Sequence, residues 1–166
     1  MYVCDATGTM LGLKMELLKQ QVAKAIDALP PDAQFNVIFF RSGEDDDDAP
    51  MFQTLEVASP ANKRRALARI NDTSVRGAGT NPIPAMRQAL SGKPERVVLL
   101  TDGEFNRDAK YPEVRRSVRG WNVGKASRID TILLMSDDAQ AEAVLREIAK
   151  DSGGQFRKVL ESDMKK

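Results

Sequence analysis

Histidine is absent from this chain of 166 residues, and cysteine occurs once, as Cys4. Without histidine, the chain lacks the usual general base and the commonest transition-metal ligand of proteins. A single cysteine excludes an internal disulfide and any zinc cluster built on several thiolates. Cys4 lies among apolar neighbours and is expected to be a small buried side chain. Any metal bound by this chain is therefore expected to be held through oxygen.

An excess of one charge and long apolar runs are lacking as well. The chain has 25 Lys and Arg against 24 Asp and Glu, a net charge of +1. It therefore lacks the basic excess from which binders of nucleic acid and of membrane surfaces draw affinity. No apolar run approaches the roughly 18–20 residues that are needed to span a bilayer. We expect neither a nucleic-acid partner nor membrane insertion by this segment.

Short apolar runs alternate with amphipathic stretches along the sequence, which is long enough for one domain with its own core. We predict strands at residues 2–4, 35–40, 51–57, 96–100, 129–135 and 155–159. We predict helices at residues 11–29, 59–70, 82–90, 112–119 and 136–152. The first helix is expected to bury Leu11 with the other apolar residues of its face, and Ser136 is expected to cap the last helix.

This alternation predicts one α/β domain over residues 1–166, folded as a doubly wound, Rossmann-like three-layer sandwich. Its central sheet is expected to be mostly parallel, with helices on both faces. The strands at 35–40 and 51–57 are close enough in sequence to form a hairpin, which predicts one antiparallel edge strand. Only four residues precede Asp5, fewer than in a typical strand, so we expect the chain to be part of a longer protein.

Three loops with small oxygen-bearing side chains lie at predicted strand ends or helix starts. They are Asp5-Ala6-Thr7-Gly8-Thr9, Gly77-Ala78-Gly79-Thr80 and Thr101-Asp102-Gly103-Glu104. In doubly wound sheets, ligands bind beyond the carboxyl ends of the strands. Carboxylates and hydroxyls are hard ligands that suit Mg²⁺, with Mn²⁺ or Ca²⁺ as alternatives. Each loop alone is compatible with an ordinary turn, but together they predict a metal site formed by Asp5, Thr7, Thr9, Thr80 and Asp102.

With these motifs the chain resembles the von Willebrand factor type A family over nearly its whole length. The metal-ion-dependent adhesion site of that family uses Asp-x-Ser-x-Ser, then a Thr in a Gly-Thr loop, then an Asp in a Thr-Asp-Gly segment. Asp5, Thr7, Thr9, Thr80 and Asp102 match these positions in order, with threonine in place of both serines. The resemblance implies a non-enzymatic protein-binding or adhesion module in which a partner's Asp or Glu completes the Mg²⁺ shell. The threonine methyl groups narrow the rotamers and leave the metal preference open.

Two alternatives to a working adhesion site remain open on the sequence. The first loop also resembles the Asp-Lys-Thr-Gly-Thr motif of haloacid-dehalogenase-like phosphotransferases, where the Asp is the phosphorylated nucleophile. Ala6 and Thr7 depart from that pattern, as does Arg107 in place of an acid of the second motif. The other alternative is a scaffold of the same fold whose metal site is vestigial.

Charged segments outside these loops give weaker indications. The acidic run Glu44–Asp48 is typical of a solvated loop, although a calcium site or a contact for a basic partner would also fit. Residues 107–128 are rich in Lys and Arg. They form either a solvated helix surface or a patch that steers an acidic partner through Arg115 and Arg116. We expect Trp121 to anchor this segment to the core.

Overall fold

The computed structural model describes residues 1–41, 49–77, 79–105 and 110–165, and within these ranges strands and helices alternate. The strands are β1 (Tyr2–Asp5), β2 (Gln34–Phe35), β3 (Val37–Phe40), β4 (Glu56–Val57), β5 (Arg96–Thr101), β6 (Arg128–Leu134) and β7 (Phe156–Val159). The α-helices are α1 (Leu13–Asp27), α2 (Pro60–Asp72), α3 (Ile83–Ser91), α4 (Tyr111–Trp121) and α5 (Ala139–Ser152). No helix in the described ranges has the length and apolar character to cross a membrane.

The central sheet has the strand order β3-β1-β5-β6-β7, and each neighbouring pair is parallel. Strands β2 and β4 pair antiparallel in a separate small sheet, and one antiparallel bridge joins Ile38 to Pro50. The predicted fold class is confirmed. The predicted strand at 51–57 is paired over Glu56–Val57 only, because the side chain of Asn36 binds the backbone of this segment at Phe52 and Thr54.

Helices cover both faces of the central sheet, and each face has its own apolar core. Alternate residues of one strand point to opposite faces, so Cys4 packs toward α1 and α2 while Val3 packs toward α3, α4 and α5. Cys4 is fully buried, as expected. Trp121 packs against the second core, which confirms its predicted anchoring role.

Two predicted helix starts are wrong. Helix α1 begins at Leu13 rather than at residue 11, because Gly12 adopts a φ of +82° that interrupts the helix. Leu11 is consequently 77% exposed instead of buried. The cap of α5 is Asp138 rather than Ser136, and its Oδ1 accepts hydrogen bonds from two backbone N–H groups of the first turn.

Candidate metal centre

The first and third oxygen-rich loops follow β1 and β5, which are adjacent in the sheet. From β1 the chain moves to β3 on one side and later to β5 on the other, so the strand order changes direction at this pair. A crevice for ligands forms beyond the carboxyl ends of the strands at such a switch point. Asp5 is the last residue of β1 and Asp102 directly follows β5, which brings two carboxylates to this crevice.

Asp5 is fully buried and held on both carboxylate oxygens. Its Oδ1 accepts hydrogen bonds from the backbone N–H of Thr7 at 3.0 Å and from the Thr7 hydroxyl at 2.7 Å. Its Oδ2 accepts a hydrogen bond from the Thr101 hydroxyl at 2.6 Å. The carboxylate is thus fixed in orientation by donors from two different loops.

The remaining predicted ligands are linked to Asp5 through oxygen atoms. The Thr80 hydroxyl donates to Thr7 Oγ1 at 2.9 Å, and the Oγ1 atoms of Thr7 and Thr9 lie 3.2 Å apart. Thr9 Oγ1 lies 3.4 Å from Asp102 Oδ1. Neighbouring ligands of an octahedral Mg²⁺ are separated by about 3 Å, given metal–oxygen distances of about 2.1 Å. We call these five residues the candidate centre; their spacing and chemistry fit a hard divalent cation.

The composition of the candidate centre also limits which metals fit. Within the described residues, no group of three or more His, Cys, Asp and Glu side chains is placed to hold a metal. The candidate centre has two carboxylates, and its other three side-chain donors are hydroxyls. Such a set favours Mg²⁺, Mn²⁺ or Ca²⁺ over metals that prefer imidazole or thiolate.

The pKa of Asp5 is raised to about 6, mainly by burial and to a smaller extent by the negative charge of Asp102. Hydrogen bonds from Thr101 and Thr7 act in the opposite direction but do not cancel the effect of burial. A charged Asp5 is therefore costly in this environment unless a cation lies beside it.

Three further residues belong to this region, although the sequence did not assign them a role: Thr101, Lys14 and Glu104. Thr101 holds Asp5, as described above. The Lys14 ammonium donates to Asp102 Oδ2 at 2.8 Å and to Glu104 Oε1 at 2.9 Å. Lys14 is the second residue of α1, where a positive charge opposes the helix dipole. Because the sequence predicts a helix start at residue 11, this unfavourable position of Lys14 follows only from the structure.

The loop that carries Asp102 rests on the start of α5. Gly103 has a φ of +75°, and a Cβ at this position would lie 2.5 Å from the Cβ of Ala141. The Tyr111 hydroxyl donates to Asp138 Oδ2 at 2.5 Å and lies 3.1 Å from the carbonyl oxygen of Gly103. Its hydrogen bond is the main cause of a lowered pKa of Asp138. Tyr111 thus connects this loop to the cap of α5.

Replacing Tyr111 with phenylalanine should lower the free energy of unfolding by about 1.5 kcal/mol, since one hydrogen bond to a charged acceptor is lost. Chemical denaturation checks this value. A matched change of Tyr2 to phenylalanine should have a smaller effect, because no side-chain hydrogen bond ties Tyr2 to a loop in the described part of the chain. Equal losses in the two variants would contradict the connecting role of Tyr111.

Some positive charges of the basic segment at residues 107–128 are paired with carboxylates of the same domain. Arg115 binds the carboxylates of Glu147 and Asp151 on α5, so its charge is paired within the fold. Arg116 is exposed and pairs at 3.6 Å with Glu113. Steering of an acidic partner through Arg115 and Arg116 stays a prediction. Residues 44–48 and 107 lie outside the described ranges.

Comparison with known proteins agrees with this architecture. Residues 1–158 match the family model described as von Willebrand factor type A domain. Inter-alpha-trypsin inhibitor heavy chain H3 of Rattus norvegicus is 27% identical over 177 aligned positions, with coverage of 91% of this chain and 19% of that protein. Heavy chain H4 of Homo sapiens is 30% identical over 179 positions, with coverage of 96% and 18%. The chain thus spans about a fifth of the length of these relatives.

Solved structures show the same fold at lower sequence identity. A von Willebrand factor type A protein from Catenulispora acidiphila superposes with a TM-score of 0.78 at 22% identity, covering 95% of this chain and 37% of that one. Proximal thread matrix protein 1 from the mussel byssus gives a TM-score of 0.69 at 18% identity, covering 99% and 42%. By the family match and the shared fold, this chain belongs to the von Willebrand factor type A domain family.

Proposed function

We propose that this domain binds one divalent cation through Asp5, Thr7, Thr9, Thr80 and Asp102 and uses it to capture an Asp or Glu side chain of a protein partner. Mg²⁺ is the expected ion, with Mn²⁺ or Ca²⁺ as alternatives. The observation that carries this proposal is the chain of oxygen atoms, spaced 2.7–3.4 Å apart, that runs from buried Asp5 to Asp102. Membership of a family of protein-interaction modules supports the role of the ion in binding.

The candidate centre opens to solvent on one side. Asp5, Thr7, Thr80 and Asp102 are buried, whereas Thr9 is exposed. An ion held by these residues would be reached from the side of Thr9, and its remaining coordination positions would face that direction. A carboxylate on a partner could bind there without any rearrangement of the buried ligands.

A phosphotransferase role for Asp5 receives no support from the comparisons. As a nucleophile, Asp5 would need an accessible oxygen for attack on phosphorus. It is instead fully buried, and three hydrogen bonds occupy its two oxygens. We therefore propose a binding role without catalysis.

The rim of the proposed site offers an apolar contact beside the ion. Leu11 and Leu13 follow the first loop and are 77% and 48% exposed. Large apolar side chains in this position suit a partner segment that has an apolar residue near its acid, since removing apolar surface from water is favourable.

Selection from a random peptide library displayed on phage tests this function. In Mg²⁺, we expect the enriched peptides to contain an Asp or Glu that cannot be changed to its amide without loss of binding. We expect their binding to be lost in chelator and in the Asp5→Ala variant. Peptides that bind equally in chelator, or that lack an essential acid, would contradict the proposed function.

Replacing both Leu11 and Leu13 with serine should weaken the binding of the selected peptides by about tenfold, as expected for the loss of roughly 1.4 kcal/mol of apolar contact. The dissociation constant for Mg²⁺ should not change, because neither side chain belongs to the candidate centre. Val123→Ser is the matched control, since Val123 is also 77% exposed. It precedes the amino end of β6, whereas the candidate centre lies at the carboxyl ends of β1 and β5. Titration of fluorescently labelled peptides measures the peptide dissociation constants of both variants. An equal loss in the control would show that the rim has no specific role.

A further inference from the structure

The ammonium group of Lys14 lies against the candidate centre. It binds Asp102 Oδ2 at 2.8 Å and Glu104 Oε1 at 2.9 Å. The Asp102 side chain is fully buried and that of Lys14 is only 21% exposed, so solvent screens this ion pair less than a surface pair. The fold thus places a positive charge of its own on a carboxylate that the cation also needs.

Both oxygens of Asp102 are engaged in this arrangement. Oδ2 accepts from Lys14, while Oδ1 accepts from the backbone N–H of Glu104 at 3.1 Å and lies 3.4 Å from the Thr9 hydroxyl. A divalent ion next to Asp102 would repel the ammonium group at short range. Binding of the ion and the contact between Lys14 and Asp102 therefore oppose each other.

Glu104 provides a second acceptor for Lys14. Its side chain is 52% exposed, in contrast to that of Asp102. The ammonium group can therefore leave Asp102 and keep an ionic partner at the solvent side of the site. Such a pair of acceptors suits a residue that changes its contact when the ion binds.

We propose that Lys14 is a tethered competitor of the divalent cation, which weakens metal binding by holding Asp102. This inference rests on the proposed function, because it concerns the same ion. It defines a regulatory role for a residue outside the ligand set. When the domain binds its ion, the contact between Lys14 and Asp102 is lost. A partner group that attracts Lys14 away from Asp102 would therefore raise the affinity for the ion.

Calorimetric titration of the whole chain with Mn²⁺ tests this role. We expect Lys14→Met to bind Mn²⁺ about tenfold more tightly or better, because a repelling charge next to the ion is removed. Lys14→Arg keeps the charge and should stay close to the wild-type affinity. Lys19→Met is the matched control on α1, since Lys19 binds the carbonyl oxygen of Asn71 instead of the candidate centre, and its affinity should not change. Circular dichroism verifies folding, and Lys14→Gln replaces Lys14→Met if the latter is unfolded.

The dependence of Mn²⁺ affinity on salt concentration distinguishes a direct contact between Lys14 and Asp102 from a long-range effect of the lysine charge. Long-range attraction and repulsion are screened at high ionic strength, whereas contacts at hydrogen-bond distance are much less affected. We expect the gain in Lys14→Met to persist when NaCl is raised, for example from about 0.05 M to about 0.5 M. A gain that disappears at high salt would overturn the competition at Asp102.

The outcomes distinguish this inference from the proposed function. Equal affinities in wild type and Lys14→Met would overturn the role of Lys14 and leave the metal site intact. Binding in Lys14→Met but none in wild type would support the inference strongly. If neither protein binds Mn²⁺ while both are folded, the proposed metal site is wrong and the inference fails with it.

Discussion

Replacing Asp5 with asparagine is expected to abolish binding of the divalent cation and, in chelator, to make the same protein more stable. The loss of affinity should exceed about 100-fold, because changes outside the ligand shell alone cost roughly 10- to 100-fold. Metal titration of the variant measures this loss. The two opposite effects arise because the buried charge that attracts the ion is unfavourable without it.

The gain in stability follows from the pKa of Asp5, which burial raises to about 6 in the folded chain from 3.8. Above pH 6 the folded state carries a charged Asp5 in a buried environment. Between the two pKa values the folded state binds the proton more tightly than the unfolded state, so this group's contribution to stability falls as the pH rises. At pH 8 we expect Asp5→Asn to gain about 1–2 kcal/mol, less than the full cost of the shift because the amide pairs imperfectly with Thr101.

The pH dependence makes this prediction specific to Asp5. The difference in unfolding free energy between Asp5→Asn and wild type should be largest above pH 6 and should shrink as the pH falls toward 4. Asp32→Asn is the control, since Asp32 is exposed and its replacement should change neither metal binding nor stability by a comparable amount. Denaturation in urea over this pH range provides the values. A variant that is less stable than wild type at pH 8 would contradict the cost assigned to the buried charge.

Replacing Gly154 with alanine should produce the largest loss of stability outside the site. A Cβ at this position would lie 1.9 Å from the carbonyl oxygen of Ile129 and 2.5 Å from its carbonyl carbon. Both atoms belong to the backbone of β6, which cannot move aside without disturbing its pairing with β5 and β7. We expect a loss of about 3 kcal/mol, at the upper end of the cost of overpacking.

Gly120 offers a matched control for this substitution. It lies within α4, and a Cβ there would meet no atom within 4 Å. Gly120→Ala should therefore be neutral or stabilise the domain by up to about 1 kcal/mol, since alanine favours helix more than glycine. Urea denaturation compares the two variants directly. Similar changes in both would show that the close approach at Gly154 does not limit stability.

Local patterns in the sequence were sufficient to predict the fold class. Short apolar runs and amphipathic stretches specify the elements, and their alternation specifies a parallel sheet. Local patterns did not predict that the strand at 35–40 is divided at Asn36 into β2 and β3. The side chain of Asn36 binds backbone groups 16 and 18 residues away, which a local pattern does not show. Local patterns also did not predict the start of α1, since Gly12 lies in an otherwise helical pattern and its positive φ is visible only in the structure.

In the candidate centre, too, residues within local motifs could be predicted from the sequence, whereas contacts between distant residues could not. Each of the three loops has a recognisable pattern, so the five proposed ligands could be named from the sequence, and the structure brings them together. Thr101 and Lys14 could not be assigned in this way. Their contacts with Asp5 and Asp102 join residues 96 and 88 positions apart, and neither residue type signals such a partner by itself.

Direct counting of bound Mn²⁺ tests the proposed metal site most directly. Free Mn²⁺ gives a strong electron paramagnetic resonance signal, which weakens when the ion binds to protein. On titration into wild-type protein we expect one Mn²⁺ to be bound per chain and to be displaced by excess Mg²⁺, because the oxygen ligands accept both ions. If all added Mn²⁺ remains free in the presence of both wild type and Lys14→Met, the site is a vestigial scaffold and the proposed function is wrong.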